Sequence, residues 1–268
     1  MFRKLILVGV IAVIVTGYFV SDKVTLFFAA HKKTLNENEI EYYFDASVGL
    51  DSLAADLYAK EVIEYPKSFI LLGEYKGLDN NRLASGKYLL KPNTSYKDFL
   101  NGFTINGNGN GNAEVEVNVT FNNCKNIEQL AGKVSKNLFL DSVELISYIK
   151  SDSVLKMYGF TWRQMPALFI PNTYKMFYDT DPTQFVARMA KEFKNYWNDD
   201  RKAKLKTIGL SSPSQAVTLA SIVYSEQTRV EREWPIIAGL YLNRLKKGIR
   251  LQSDPTFKFC WGNELDNV

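Results

Sequence analysis

Glu114-Val115-Glu116-Val117-Asn118-Val119-Thr120-Phe121 alternates polar and apolar side chains, and Asn122-Asn123-Cys124-Lys125-Asn126 then interrupts the alternation. A period of two predicts a half-buried strand, and the polar cluster after it predicts a turn. Beyond the turn, Ile127, Leu130, Ala131 and Val134 recur at helical spacing, so the period changes from two to 3.6. The same strand, turn and helix occur about 75 residues earlier: Ile40 to Asp45, then Gly49-Leu50-Asp51-Ser52, then Leu53, Ala54 and Leu57. Gly86 to Leu90 reads as a returning strand of that earlier unit. Two copies are too few for a solenoid. Between them Asn106 to Asn112 reads N-G-N-G-N-G-N, a loop or linker without apolar periodicity. From Leu138 onward helices dominate, at Ser142 to Lys156 and Thr183 to Trp197. Pro171 makes Phe169 to Tyr174 an apolar-to-turn element instead of a helix. The fold class is α+β.

Composition narrows the chemistry. The 268 residues are 46% apolar and 23% charged, which excludes wholesale disorder. Thirty-three basic residues against 29 acidic ones leave a net charge of +4, too weak and dispersed for a nucleic-acid face. His31 is the one histidine, and Cys124 and Cys260 are the two cysteines. That count excludes a Ser-His-Asp triad, a multi-histidine metal site, a zinc ribbon and a C-x-x-C redox pair. No metal and no cofactor is expected. Any catalysis falls to carboxylates, amides and hydroxyls.

Leu5 to Val20 form an apolar run preceded by Arg3 and Lys4 and closed by Ser21, Asp22 and Lys23. As a helix these residues span about 24 Å, close to the roughly 30 Å bilayer core. Residues 1–22 are therefore expected to anchor the chain, with the upstream charge inside and the body exported. The alternative is a cleaved signal peptide ending near Ala29-Ala30. In an exported body the cysteines could pair or stay free, and their spacing does not decide.

One helix carries an acid at an unusual place. Ser212-Pro213-Ser214-Gln215 reads as a capping box with proline at the first helical position. The apolar stripe Ala216, Leu219, Ala220 and Val223 continues onto Glu226. Two readings stand: a desolvated carboxyl kept protonated as a general acid, or a helix end bending into water. A second helix starts near Arg232 and ends before Gly248, with Ile236, Leu240 and Asn243 on one stripe, so that an amide falls on an apolar face. Leu251-Gln252-Ser253-Asp254-Pro255-Thr256 follows as a polar turn.

Ala220-Ser221-Ile222-Val223, Glu226-Gln227-Thr228, Ile237-Ala238-Gly239, Asn243-Arg244-Leu245 and Leu251 to Thr256 together resemble the YceG-like endolytic murein transglycosylases, the MltG family. Phe169 to Tyr174 is similar to the family's L-F-P-D-T-Y element, with Asn172 in place of Asp. Tyr224 stands where the family motif carries a first glutamate, Pro166 and Ala167 occupy a stretch that usually holds another, and Val268 ends the chain short of the family's usual length. The resemblance implies a membrane anchor at 1–22, a LysM-like module at 40–105 and a YceG-like transglycosylase domain at 113–268, C-terminally truncated. It further implies a lyase of the cell inner membrane, with its body on the periplasmic side, acting on peptidoglycan glycan strands beside peptidoglycan synthases. Glu226 would be the catalytic residue; Asn243, Gln252, Ser253, Asp254, Thr256 and Tyr174 would bind substrate. Ordinary glycosidases need two carboxylates, whereas an attacking muramyl 6-hydroxyl lets one serve as acid and then base. A non-catalytic peptidoglycan-binding protein and a conventional glycoside hydrolase are the alternatives.

Overall fold

The computed structural model describes residues 23–78, 82–104 and 112–261. The apolar run within residues 1–22 and most of the Asn-Gly spacer lie outside them. The chain forms two compact units: Met1–Thr120 with Lys133–Leu140 and Thr173–Thr180, and Phe121–Gly132 with Asp141–Asn172 and Asp181–Val268.

Among the described residues the first unit begins with helical residues 23–31, α1. There follow β1 (Ile40–Phe44), α2 (Gly49–Ala59), α3 (Pro66–Tyr75), β2 (Gly86–Leu90), α4 (Tyr96–Gly102) and β3 (Asn112–Glu114). The three strands make an antiparallel sheet in the order β1-β2-β3, with Tyr88 opposite both Tyr42 and Glu114. Alternation does the sorting on β2, where Gly86, Tyr88 and Leu90 point inward. Leu53, Ala54 and Leu57 from α2 and Phe69 from α3 meet Tyr96, Phe99 and Phe103 beneath the sheet. Several of these rings meet edge-on, as Phe69 does with Tyr96 at 5.5 Å between centroids. The strand expected from Val115 to Phe121 starts later, as β4 (Val117–Phe121), with Val115 and Glu116 between it and β3. After β4 and α5 (Ile127–Val134), the element expected to be a turn contributes β5 (Asn172–Met176), which pairs with β4.

The second unit is helical: α6 (Ser142–Lys150), α7 (Asp152–Tyr158), α8 (Pro182–Tyr196), α9 (Asp199–Thr207), α10 (Pro213–Glu226), α11 (Trp234–Lys246) and α12 (Asp254–Trp261). The single helix expected from Ser142 to Lys156 breaks at Ser151, whose φ of −66° and ψ of 137° are extended. Serine favours such a junction and Asp152 suits a new first turn. Trp197, Leu205, Leu210, Leu219, Val223 and Tyr241 form the core of α8 to α11. Among the described residues no helix is long and apolar enough to cross a membrane. The architecture is α+β.

Candidate functional site

The site is built at the C-terminal end of α10. Ser212 caps the helix, its Oγ accepting from the Gln215 N–H at 3.3 Å, and Pro213 follows at the first helical position. The box is half-formed, because the Gln215 side chain turns instead to Ser211, whose N–H and Oγ both donate to its Oε1. Leu219 and Val223 are buried as the stripe requires. Glu226 is not: it is the last residue of the helix and lies exposed. Its backbone stops where Gln227 becomes extended, so the final half-turn projects past the core that the stripe covers.

Exposure does not leave the carboxyl loose. Tyr241 Oη donates to Glu226 Oε1 at 2.6 Å, and Ser253 Oγ donates to the same oxygen at 2.6 Å. Tyr241 and Ser253 are each about 5% exposed, so both donors come from the protein side. Among the described residues Oε2 takes no hydrogen bond. Burial first, and then the hydrogen bond to Glu226, hold the Tyr241 hydroxyl above the ordinary phenol range, which keeps it a donor.

The segment after Glu226 is stapled by Gln227. Its Nε2 donates to Glu233 Oε2 at 2.8 Å, its Oε1 accepts from the N–H groups of Arg229 and Val230, and its carbonyl accepts from Trp234 Nε1 at 2.6 Å. Tyr224 lies with its ring 5.9 Å from that of Trp234. α11 then ends in a Schellman turn: Gly248, at φ 67°, donates to Leu245 O and Ile249 to Arg244 O. Arg244 braces the returning chain, its Nε donating to Arg250 O at 2.8 Å and its Nη2 to Gln252 Oε1. Gln252 sits in the left-handed region at φ 54°, and that reversal delivers Ser253 to the carboxyl. Thr256 closes the turn, its Oγ1 donating to Ser253 O at 2.6 Å.

Of the residues singled out in the sequence, Glu226 and Ser253 are in contact, and Gln252 and Thr256 hold the Ser253 turn. The segment expected to be turn throughout already becomes α12 at Asp254, whose side chain is exposed. Asn243 is exposed, and its stripe is a correction: Ile236 and Leu240, on the same face, are 72% and 53% exposed. The inward face of α11 runs through Trp234, Ile237, Ala238 and Tyr241, one residue out of step. Sequence reasoning therefore misses Tyr241, although its stripe has the i, i+3, i+4, i+7 spacing that could have found it. Tyr174 is buried on β5 and belongs to the first unit. Cys124 and Cys260 are free thiols, the second exposed. No cluster of three or more His, Cys, Asp or Glu side chains converges for a metal among the described residues.

The model of the YceG-like family matches residues 44–268. The chain is similar to the yceG-like protein lmo1499 of Listeria monocytogenes, whose crystal structure was determined at 2.6 Å; the two share 21% identity over 83% of this chain and 75% of that one, with a TM-score of 0.43. No curated protein matches.

Proposed function

The chain belongs to the YceG-like family, and from that premise we propose that it is a membrane-anchored lytic transglycosylase of peptidoglycan. Family membership supports murein transglycosylase chemistry in general; cleavage inside glycan strands is the finer reading. The observation that carries it is the Glu226 carboxyl, gripped at Oε1 by Tyr241 and Ser253 and open at Oε2.

Oε2 carries the proton that passes to the glycosidic oxygen between N-acetylmuramic acid and N-acetylglucosamine. As the C1–O4 bond breaks, positive charge develops at C1, and the newly ionised Glu226 lies on the protein side of it. The muramyl 6-hydroxyl then attacks C1 and gives its proton to Oε2. The C1–O6 bond forms, the 1,6-anhydro ring closes, and the acid is restored. No water enters, so one carboxylate suffices where a hydrolase needs two. The hydroxyl donors hold Oε1 through both steps, so that the same oxygen, Oε2, gives and receives the proton.

Residues 1–22 serve as the inner-membrane anchor, leaving the body on the periplasmic side where glycan strands are made and peptidoglycan synthases are neighbours. The β1-α2-α3-β2 order supports reading the 40–105 segment as a LysM-like glycan-binding module. Digestion of purified glycan strands, read by mass spectrometry, tests the proposal. Anhydro-muropeptides are expected; products heavier by one water would mean a hydrolase, and intact strands would leave a peptidoglycan-binding protein without catalysis.

A further inference from the structure

The first unit carries an amphiphilic face that its fold does not use. Phe27 and Phe28 on α1 are 59% and 64% exposed, and Tyr75 at the end of α3 is 72% exposed. A shallow groove runs between them, walled by Leu26, Phe27, Leu72 and Tyr75 and rimmed by Lys23, Lys76 and Lys97. A second hollow beside it is lined by Lys23, Val24, Phe27 and Phe28. Among the described residues neither has an acidic lining residue. Of the acids next in sequence, Asp22 lies outside the described residues, Asp98 accepts from Ser95 Oγ at 2.7 Å in its own helix cap, and Glu74 is exposed. His31 stays on α1, its Nδ1 2.7 Å from Phe27 O and its ring 4.2 Å from the Phe27 ring.

We propose that this face, formed by α1, α3 and α4, rests on an anionic phospholipid surface. Three features select lipid over a protein partner. Exposed aromatic rings beside lysine ammonium groups suit the headgroup layer, where rings sit at the boundary and cations meet phosphate. Among the described residues the charge on the rim has a single sign, which complements an anionic leaflet. In sequence, Lys23 lies three residues after the apolar run Leu5 to Val20, so an anchored run delivers Lys23 and Phe27 to headgroup depth. The inference rests on the anchor reading and adds to it which side of the first unit meets the bilayer.

The test uses the full chain with Cys124→Ser and Cys260→Ser, and a polarity-sensitive fluorophore on Phe28→Cys, in phosphatidylcholine vesicles with and without phosphatidylglycerol. With phosphatidylglycerol the emission shifts to the blue, and brominated lipid quenches it at least about twofold more than in neutral vesicles. Lys23→Glu, Lys76→Glu and Lys97→Glu together, or molar salt, abolish that difference. Flotation of the same samples in a density gradient reports the anchor separately. Chain that floats while the label stays aqueous overturns the lipid face and leaves the anchor standing; chain that does not float removes the anchor reading itself. Equal quenching in both lipids, unmoved by the lysine changes, also overturns the proposal. So does burial of the label that appears only when membrane proteins are added.

Discussion

Tyr241 and Glu226 are fifteen positions apart on two successive helices, and a 2.6 Å hydrogen bond joins their side chains. Ser253, from a third segment, meets the same carboxyl oxygen at 2.6 Å. Two buried hydroxyls thus fix the rotation of an exposed side chain, a glutamate that would otherwise sample several rotamers at a helix end.

Loss of one hydroxyl should loosen the acid without removing it. Tyr241→Phe and Ser253→Ala are each expected to lower kcat about tenfold while KM stays within about twofold, the signature of lost positioning. The double variant should lose less than the product of the two, because both donors serve one oxygen. Steady-state kinetics on a soluble glycan substrate, with circular dichroism to confirm folding, reads all three. A rise in KM with kcat unchanged would make these hydroxyls sugar contacts instead.

Glu226→Gln keeps the shape and still accepts from Tyr241 and Ser253, but it has no transferable proton. Release of anhydro-muropeptides is expected to fall at least about a hundredfold with folding intact. Glu231→Gln, in the short 3-10 turn before α11, should cost little. A Glu226→Gln variant that works at near the parent rate would assign the acid to another residue.

Much of this site was legible before the fold was known, and the part that was not has a physical cause. The cap at Ser212 and the strand Gly86 to Leu90 are local signals, set by a hydroxyl beside a proline and by period-two alternation. α11 has two interleaved apolar stripes, one through Ile236 and Leu240 and one through Ile237 and Tyr241, and periodicity alone does not choose between them. Packing against α10 chooses the second. Of the two readings of Glu226, the exposed helix end is the one the fold adopts, for a related reason: a stripe says which way a side chain points, not whether neighbouring helices extend far enough to cover it. The Gln252 reversal that brings Ser253 to the carboxyl depends on Arg244, eight residues away, and leaves no trace in local pattern.

Gly73 is where α3 approaches α2 too closely for a side chain. A Cβ placed there would lie 2.5 Å from one Leu50 methyl carbon and 2.9 Å from the other. Leu50 is buried, so its retreat displaces the core around it. Gly73→Ala should destabilise the first unit by about 1–3 kcal/mol despite alanine's better helix propensity. Urea unfolding followed by tyrosine fluorescence of that unit measures it, and an unchanged or raised midpoint would show that Leu50 moves freely.

Stability should also fall as the solution turns from acid to neutral, because of Glu114. Its Oε1 is buried without a hydrogen-bond partner among the described residues, close to where a Gly86 side chain would stand. Burial, and then the negative charge of Asp179, raise its pKa from 4.5 to about 7. The folded chain therefore holds this proton more tightly than the unfolded chain does. The stabilisation is complete below about pH 4.5 and is lost as pH rises through about 7, opposite in sign to a salt-bridged carboxylate. Calorimetric melting between these limits should show the midpoint declining with pH, and Glu114→Gln, which is neutral throughout, should flatten that decline. Asp179→Asn should move the decline to lower pH, since it removes the charge that adds to burial. If the Gln variant declines as steeply as the parent, the pH dependence belongs to other groups and Glu114 is ionised in the folded chain at no cost.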